Sequence, residues 1–150
     1  MQSDVYEALV LEEFLPYRLS VITNRVSSAL ARRYAEEFSM SATEWRVMAA
    51  LGTGDGLSAT EVCVRTAMDK VQVSRAVANL VESGRLVRRA DAEDGRVTRL
   101  ALSPRGRAIY EKIVPRAKEF ESRLLAALTE EELEHLDIIL QKLTCAVLTL

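Results

Sequence analysis

The chain has 150 residues, 49% of them hydrophobic and 28% charged, with a formal net charge of −2. That fits one globular module and excludes a disordered chain; no apolar run approaches the roughly 18 residues of a membrane span, so no membrane partner is expected. The start, MQSDVYEALVLEEF, lacks a signal-peptide pattern, and two distant cysteines, Cys63 and Cys145, make no disulfide framework, so the expected location is cytoplasmic.

A short helical piece is expected around Val5 to Phe14, then a long first helix from Pro16 to about Phe38. Its stripe is Leu19, Ile22, Val26 and Leu30. Further starts are marked by capping boxes. In Ser41-Ala-Thr-Glu44, Ser58-Ala-Thr-Glu61 and Thr129-Glu-Glu-Glu132 a hydroxyl accepts from the N–H three residues on, and the glutamate reaches back. Asp69-Lys-Val-Gln72 is a weaker version. Ser103-Pro104 sets a cap before a proline at the first helical position. These signals predict helix starts near 42, 59, 70, 104 and 130.

Gly52 and Gly84 are the expected stops of the helices over 42–51 and 70–83. Between Gly84 and Ser103 the runs RLVRRA and VTRLAL are β-prone and flank DAEDGR, whose Asp-Gly reads as a hairpin turn. Pro115 should kink the helix that begins at Pro104, because it lacks a backbone donor and crowds the preceding turn. The last helix carries Leu133, Leu136, Leu140, Leu143 and Val147 in a coiled-coil-like stripe.

Two short helices, a third amphipathic one and a hairpin make a winged helix-turn-helix. The fold class is therefore mainly α with a small β-hairpin wing, 41–103 forming the core of a single 1–150 module. Charge is distributed to match. Arg65 to Arg107 holds ten Lys and Arg against five Asp and Glu, a local +5, while the rest holds ten basic and seventeen acidic residues, a −7. A basic middle between acidic ends suits a polyanion such as double-stranded DNA.

On the helix over 70–83, Val73, Val77, Leu80 and Val81 group inward. Val71, Gln72, Arg75 and Asn79 group outward, with Ser74 at the edge. Arg75 suits guanine, Gln72 or Asn79 adenine, and Val71 a thymine methyl. Ser74, Lys70 and Ser58 suit phosphates. A plain solvated face explains the same polar residues on this helix alone. The hairpin adds weight to the DNA reading. Arg96 sits at its tip, Arg88, Arg89 and Arg99 lie on its strands, and an arginine on a thin wing suits a narrow minor groove. Asp91 or Asp94 is expected to hold the tip arginine by an ion pair.

The segment MDKVQVSRAVANLVESGRLVRRADAEDGRVTRLALSPRG resembles the DNA-binding core of MarR-type regulators. The matching residues are Asp69, Lys70, Val73, Ser74 and Arg75 in the helix and Asp91, Asp94 and Arg96 in the wing. Leu102, Ser103 and Gly106 match the exit. Gly95 stands where a second basic residue is common, which leaves the wing contact to Arg96. The resemblance implies a homodimer whose terminal helices, 5–38 and 104–150, interleave, with a pseudo-palindromic target about one turn between half-sites. It also implies repression relieved by a small aromatic or anionic effector bound between the dimerisation helices and the helix-turn-helix. Tyr17, Arg18, Asn24 and Arg25, with Trp45, Arg46 and Met48, are the candidate ligand residues; an arginine beside aromatics suits a carboxylate. FLPYRLSVITNRVS with EWRV resembles regulators of aromatic-acid catabolism. For Trp45 and Met48, core packing is the competing explanation.

Other functions have less in their favour. A thiol-based oxidant sensor would use Cys63 or Cys145, but neither has an electropositive, exposed setting in the sequence, and buried structural cysteine is the expectation. His135 is the sole histidine and stands among Glu131, Glu132 and Glu134, so no metal cofactor is expected. No nucleophile elbow or phosphate loop marks an enzyme. A dimeric interaction module without DNA binding leaves the basic wing unexplained.

Overall fold

The computed structural model describes residues 8–54 and 56–150. In chain order the elements are α1 (Leu15–Phe38), α2 (Ala42–Leu51), α3 (Ala59–Thr66), α4 (Lys70–Glu82), β1 (Leu86–Ala90), β2 (Thr98–Leu102), α5 (Pro104–Leu125) and α6 (Glu130–Val147). The sequence signals place these helix starts within one residue. Val5 to Glu7 lie outside the described residues. From Ala8 to Phe14 the chain makes only a turn, with the Glu13 and Phe14 amides donating to Val10 O, so the expected first helical piece is absent there. The described chain divides into two compact units, one ending at Glu111 and the other spanning Lys112–Leu150.

Local chemistry explains the starts. Ser41, Ser58, Asp69 and Thr129 each accept from the amide three residues on, and Glu44, Glu61, Gln72 and Glu132 each reach back to the cap amide. The Asp69 version is thus as complete as the others. α5 is capped by Ser103, whose Oγ accepts from Gly106 N at 2.9 Å. It continues unbroken through Pro115, accommodating the missing donor without ending.

The core of the first unit is where α2, α3, α4 and the hairpin meet. Val47, Met48, Leu51, Val62, Val73, Val77, Leu80, Leu86 and Leu100 are all buried. Burying an aliphatic side chain stabilises by about 1.5–3 kcal/mol, so this cluster holds the three short helices that could not persist alone. β1 and β2 pair antiparallel, Leu86 opposite Leu102 and Arg88 opposite Leu100. Leu57 adds a one-residue bridge to Leu100, its N–H and C=O both bonded across. In the second unit, the α6 stripe is uneven. Leu133, Leu136 and Leu143 are half-buried, whereas Leu140 and Val147 are exposed.

Two glycines act through space instead of backbone freedom. Gly52 ends α2 in ordinary right-handed geometry (φ −62), not the left-handed cap expected of a stop glycine. A Cβ there would overlap the Tyr110 ring, so only glycine lets that ring approach. At Gly106 a Cβ would collide with the Arg85 carbonyl oxygen. That carbonyl also accepts from Ser103 N, and Ser103 Oγ donates to Gly84 O at 2.6 Å. The exit from the hairpin is therefore a knot of backbone with no room to yield.

Gly84 differs: its φ is +70, and nothing lies within 4 Å of the place a methyl group would occupy. Gly84→Ala is expected to cost only the left-handed penalty of about 1–2 kcal/mol. Gly106→Ala is expected to cost more, because backbone must move. Chemical denaturation of both variants at equal protein concentration checks the order, and equal midpoints contradict the steric account.

Candidate nucleic-acid interface

Asp69 starts α4, and that start fixes which side chains face inward. Val73, Ala76, Val77 and Leu80 are buried, while Lys70, Val71, Gln72, Ser74, Arg75 and Asn79 are exposed. The wheel read from the sequence is therefore reproduced, save that Val81 is only half-buried. Arg75 and Lys70 make no side-chain hydrogen bond or ion pair among the described residues.

Gln72 and Asn79 on this face, and Ser58 at the start of α3, are already engaged. Gln72 Oε1 accepts from Asp69 N at 3.3 Å, which leaves its two amide hydrogens for another partner. Asn79 Nδ2 donates to Glu44 Oε1 at 3.0 Å, so Asn79 ties α4 to the first turn of α2. Ser58 Oγ accepts from Glu61 N at 3.2 Å as the α3 cap, and its hydroxyl hydrogen remains. α3 ends at Ala67, a non-glycine residue with φ 53 in the turn before α4.

The wing departs from expectation in its internal chemistry. Asp91 does not hold the tip arginine. Its Oδ2 accepts from Arg99 Nε at 2.6 Å, and Arg99 NH1 lies 2.6 Å from Glu61 Oε2. Asp91 Oδ1 accepts from the Glu93 and Asp94 amides, and Asp94 Oδ1 from the Arg96 amide. The tip turn is built by these side chains, and Gly95 is not among the positive-φ glycines that the Asp-Gly signal implied. Arg88, Arg89 and Arg96 make no side-chain bond among the described residues, and all three are exposed. Arg88 and Arg89, as neighbours on one strand, point to opposite faces of the hairpin.

Charge follows geometry. The Arg99 guanidinium holds the Asp91 carboxyl down to about 2, assisted by the Asp94 and Glu93 amides. Glu61 is also lowered, first by the Ser58 amide and then by the Ser58 hydroxyl, with Arg99 contributing. Arg99 itself is raised, chiefly by Asp91.

A second feature lies between α1 and α2. A hollow of about 350 Å³ is lined by Ile22, Val26, Leu30, Tyr34, Trp45 and Arg46, among others. Arg46 NH2 donates to Ser27 Oγ at 2.7 Å. Tyr34, Trp45 and Tyr110 form a ring series at 5.3 and 5.9 Å between centroids. Arg107 lies over Tyr110 and donates to Gly52 O at 2.7 Å. Of the candidate ligand residues, Trp45 and Arg46 line this hollow. Tyr17, Arg18 and Arg25 line a separate one of about 400 Å³ along α1. Asn24 is exposed and lines neither, and Met48 is sealed in the core.

Sequence reasoning missed Glu44, Glu61 and Arg99 as cross-links, because a capping box names only a local partner. It also missed Arg85, which is buried and donates to Phe38 O at the end of α1. Cys63 is half-buried and Cys145 is exposed, so burial does not explain Cys145 in the single chain. Among the described residues no His, Cys, Asp and Glu cluster could hold a metal, and no helix is long and apolar enough to cross a membrane.

Because the folded value of Asp91 lies below its ordinary 3.8, the Asp91–Arg99 tie is fully present above pH 3.8. It is lost as the pH falls toward about 2. An NMR titration of the Asp91 carboxyl carbon is expected to give that low midpoint in the parent and a higher one in Arg99→Ala, where the Glu93 and Asp94 amides still hold it below the ordinary value. Identical midpoints in the two proteins contradict the tie.

Known proteins share this geometry. A MarR family model matches residues 38–97, which span the end of α1 through the wing tip. A MarR/EmrR family transcriptional regulator from Acinetobacter sp. ADP1 is 26% identical with a TM-score of 0.88, over 95% of this chain and 100% of that one. An S. aureus MepR–DNA complex is 23% identical with a TM-score of 0.79, over 89% and 98% of the two chains. Bordetella bronchiseptica BpsR, whose DNA binding is regulated by 6-hydroxynicotinic acid, is 23% identical with a TM-score of 0.79, over 92% and 98%. No curated protein matches the chain.

Proposed function

We propose that this chain, whose winged-helix fold is shared with the MarR-family regulators it resembles, is a DNA-binding transcriptional regulator that acts as a homodimeric, ligand-released repressor. Its target is a pseudo-palindromic operator. The observation that carries this reading is the pairing of an unengaged, exposed Arg75 on α4 with an unengaged, exposed Arg96 at the wing tip. Uncommitted guanidiniums on two thin, rigidly backed elements suit the two grooves of a duplex.

Residue roles follow from availability. Arg75 donates two bonds to a guanine edge, and Val71 packs on a thymine methyl. Gln72 presents its free amide hydrogens to a base acceptor. Lys70, Ser74 and the Ser58 hydroxyl contact phosphates, as does Arg88 beside the groove. Arg96 enters the minor groove. Asn79 reaches a base only by leaving Glu44, so its contribution to sequence preference is the smallest of the set.

Dimerisation is supported by apolar surface that a single chain leaves bare. On the first unit Leu9, Leu15 and Ile22 are exposed, and on the second Ile139, Val147 and Leu148. A second copy would cover rows of this kind. The effector reading rests on the α1–α2 hollow, where Arg46 stands beside Trp45 in a largely apolar lining. That chemistry suits a small aromatic carboxylate. BpsR, with its aromatic acid regulator, shares the fold. Tyr17, Arg18 and Arg25 are proposed as a secondary contact surface for the same ligand class.

Duplexes selected from a random pool at moderate salt are expected to contain an inverted repeat with half-sites about 10 bp apart. On that duplex Arg75→Ala is expected to weaken binding by about 1–3 kcal/mol and relax one base position. Arg96→Ala is expected to weaken binding while leaving the major-groove preference. Arg46→Met is expected to keep DNA affinity and lose release by aromatic carboxylates. Parent-like sequence preference in Arg75→Ala would show that α4 is not the reader.

A further inference from the structure

The wing tip carries one proposed DNA contact, yet the hairpin has only two strands and its tip residues are exposed. A hairpin of that size is marginal alone and needs an external brace to aim its tip. The Leu57–Leu100 bridge fixes the root. One residue before Leu100, Arg99 supplies a second brace through its side chain. Its guanidinium bonds at 2.6 Å to Asp91, where β1 gives way to the tip, and at 2.6 Å to Glu61 in the first turn of α3.

Glu61 does two jobs with one oxygen. Oε2 accepts from Ser58 N at 2.7 Å to close the α3 cap, and from Arg99 NH1. The helix that precedes the recognition helix is therefore linked through one carboxylate to the wing. Arg99 is among the basic residues of the hairpin, but both of its bonded nitrogens are committed, whereas those of Arg88, Arg89 and Arg96 are not. Its neighbour across the sheet, Arg89, is a like charge that would push it away without the two carboxylates.

We propose that Arg99 is a positioning residue for DNA recognition: with Asp91 and Glu61 it sets the angle of the wing to the helix-turn-helix, and so places Arg96, without contacting DNA itself. This rests on the function proposed above. The alternative chemistry, Arg99 as a phosphate contact, makes the opposite forecast for its acidic partners. Glu61 and Asp91 are negative charges within the proposed DNA-binding unit, and removing a negative charge ordinarily strengthens binding to a polyanion. If they serve the brace, removing them weakens binding instead.

Two isosteric variants isolate the brace. Glu61→Gln keeps the capping box, since glutamine closes it as well as glutamate, and weakens the tie by leaving a neutral oxygen against the Arg99 guanidinium. Asp91→Asn keeps a carbonyl oxygen for the Glu93 and Asp94 amides. Each is measured on the selected duplex over a salt series, alone and combined with Arg96→Ala, beside Arg99→Lys and the parent. Residues in one network couple strongly, so each isostere is expected to bind roughly 3- to 30-fold more weakly, and Arg96→Ala to add little on top. Arg99→Lys is expected to bind as weakly as they do, because an ammonium keeps the charge but not the two-pronged geometry. Base preference at the position read by Arg75 is expected to be unchanged in all of them, which general unfolding would not leave intact.

Tighter binding by Glu61→Gln and Asp91→Asn, parent-like binding by Arg99→Lys, or full additivity with Arg96→Ala would each overturn the brace while leaving the DNA reading in place. Binding that is indifferent to Arg96→Ala would overturn the brace together with the wing contact, whereas failure to select any preferred duplex would overturn the DNA reading itself.

Discussion

The reciprocal hydrogen bonds between Asp69 and Gln72 start α4 at Lys70, and the phase of everything on that helix follows from that start. With the first residue fixed, the 3.6-residue period turns Val73, Ala76, Val77 and Leu80 into the core and leaves Val71, Gln72 and Arg75 outside. A start displaced by one residue would rotate the helix by about 100° and turn the guanidinium proposed to read DNA away from it. The same device sets α2 and α3, so local bonds phase each of the three helices around the core. Caps and packing specify the same phase.

Those caps also carry information between elements. Glu44 closes the α2 cap through one oxygen and holds Asn79 of α4 with the other. Glu61 closes the α3 cap and holds Arg99 of the wing. The parts proposed to meet DNA are thus joined at the helix N-termini, where anionic side chains are favoured by the helix dipole. Arg85, donating to the last carbonyl region of α1 at Phe38, makes the complementary link at a C-terminus. A ligand in the α1–α2 hollow would act on this frame, because Trp45 and Arg46 belong to the helix that Glu44 begins.

Much of the fold is legible in the sequence, for a physical reason. Caps, period and β-branched runs are local, so helix starts, the inward face of α4 and the hairpin can be read from spacing alone. Long-range partners cannot. Nothing near Asn79 in sequence points to Glu44, and nothing near Arg99 points to Glu61. The hairpin is placed correctly by an Asp-Gly signal whose mechanism differs in the fold, since Asp91 and Asp94 carboxylates make the turn. Gly52 likewise stands out in the sequence for one reason and serves another: it makes space for Tyr110. Met48 shows the limit of reading a ligand set from residue type, because its place on α2 puts it in the core while Trp45 and Arg46 turn to the hollow.

As proposed, each chain reads two grooves, the major groove through Arg75 and the minor through Arg96. Dimethyl sulfate footprinting separates them, because it modifies guanine N7 in the major groove and adenine N3 in the minor. On the selected duplex, guanine protections are expected in two half-sites about one turn apart, lost in Arg75→Ala. Adenine protections are expected beside them, lost in Arg96→Ala. Protections confined to one groove, or losses that do not follow the variant, would contradict the two-groove reading.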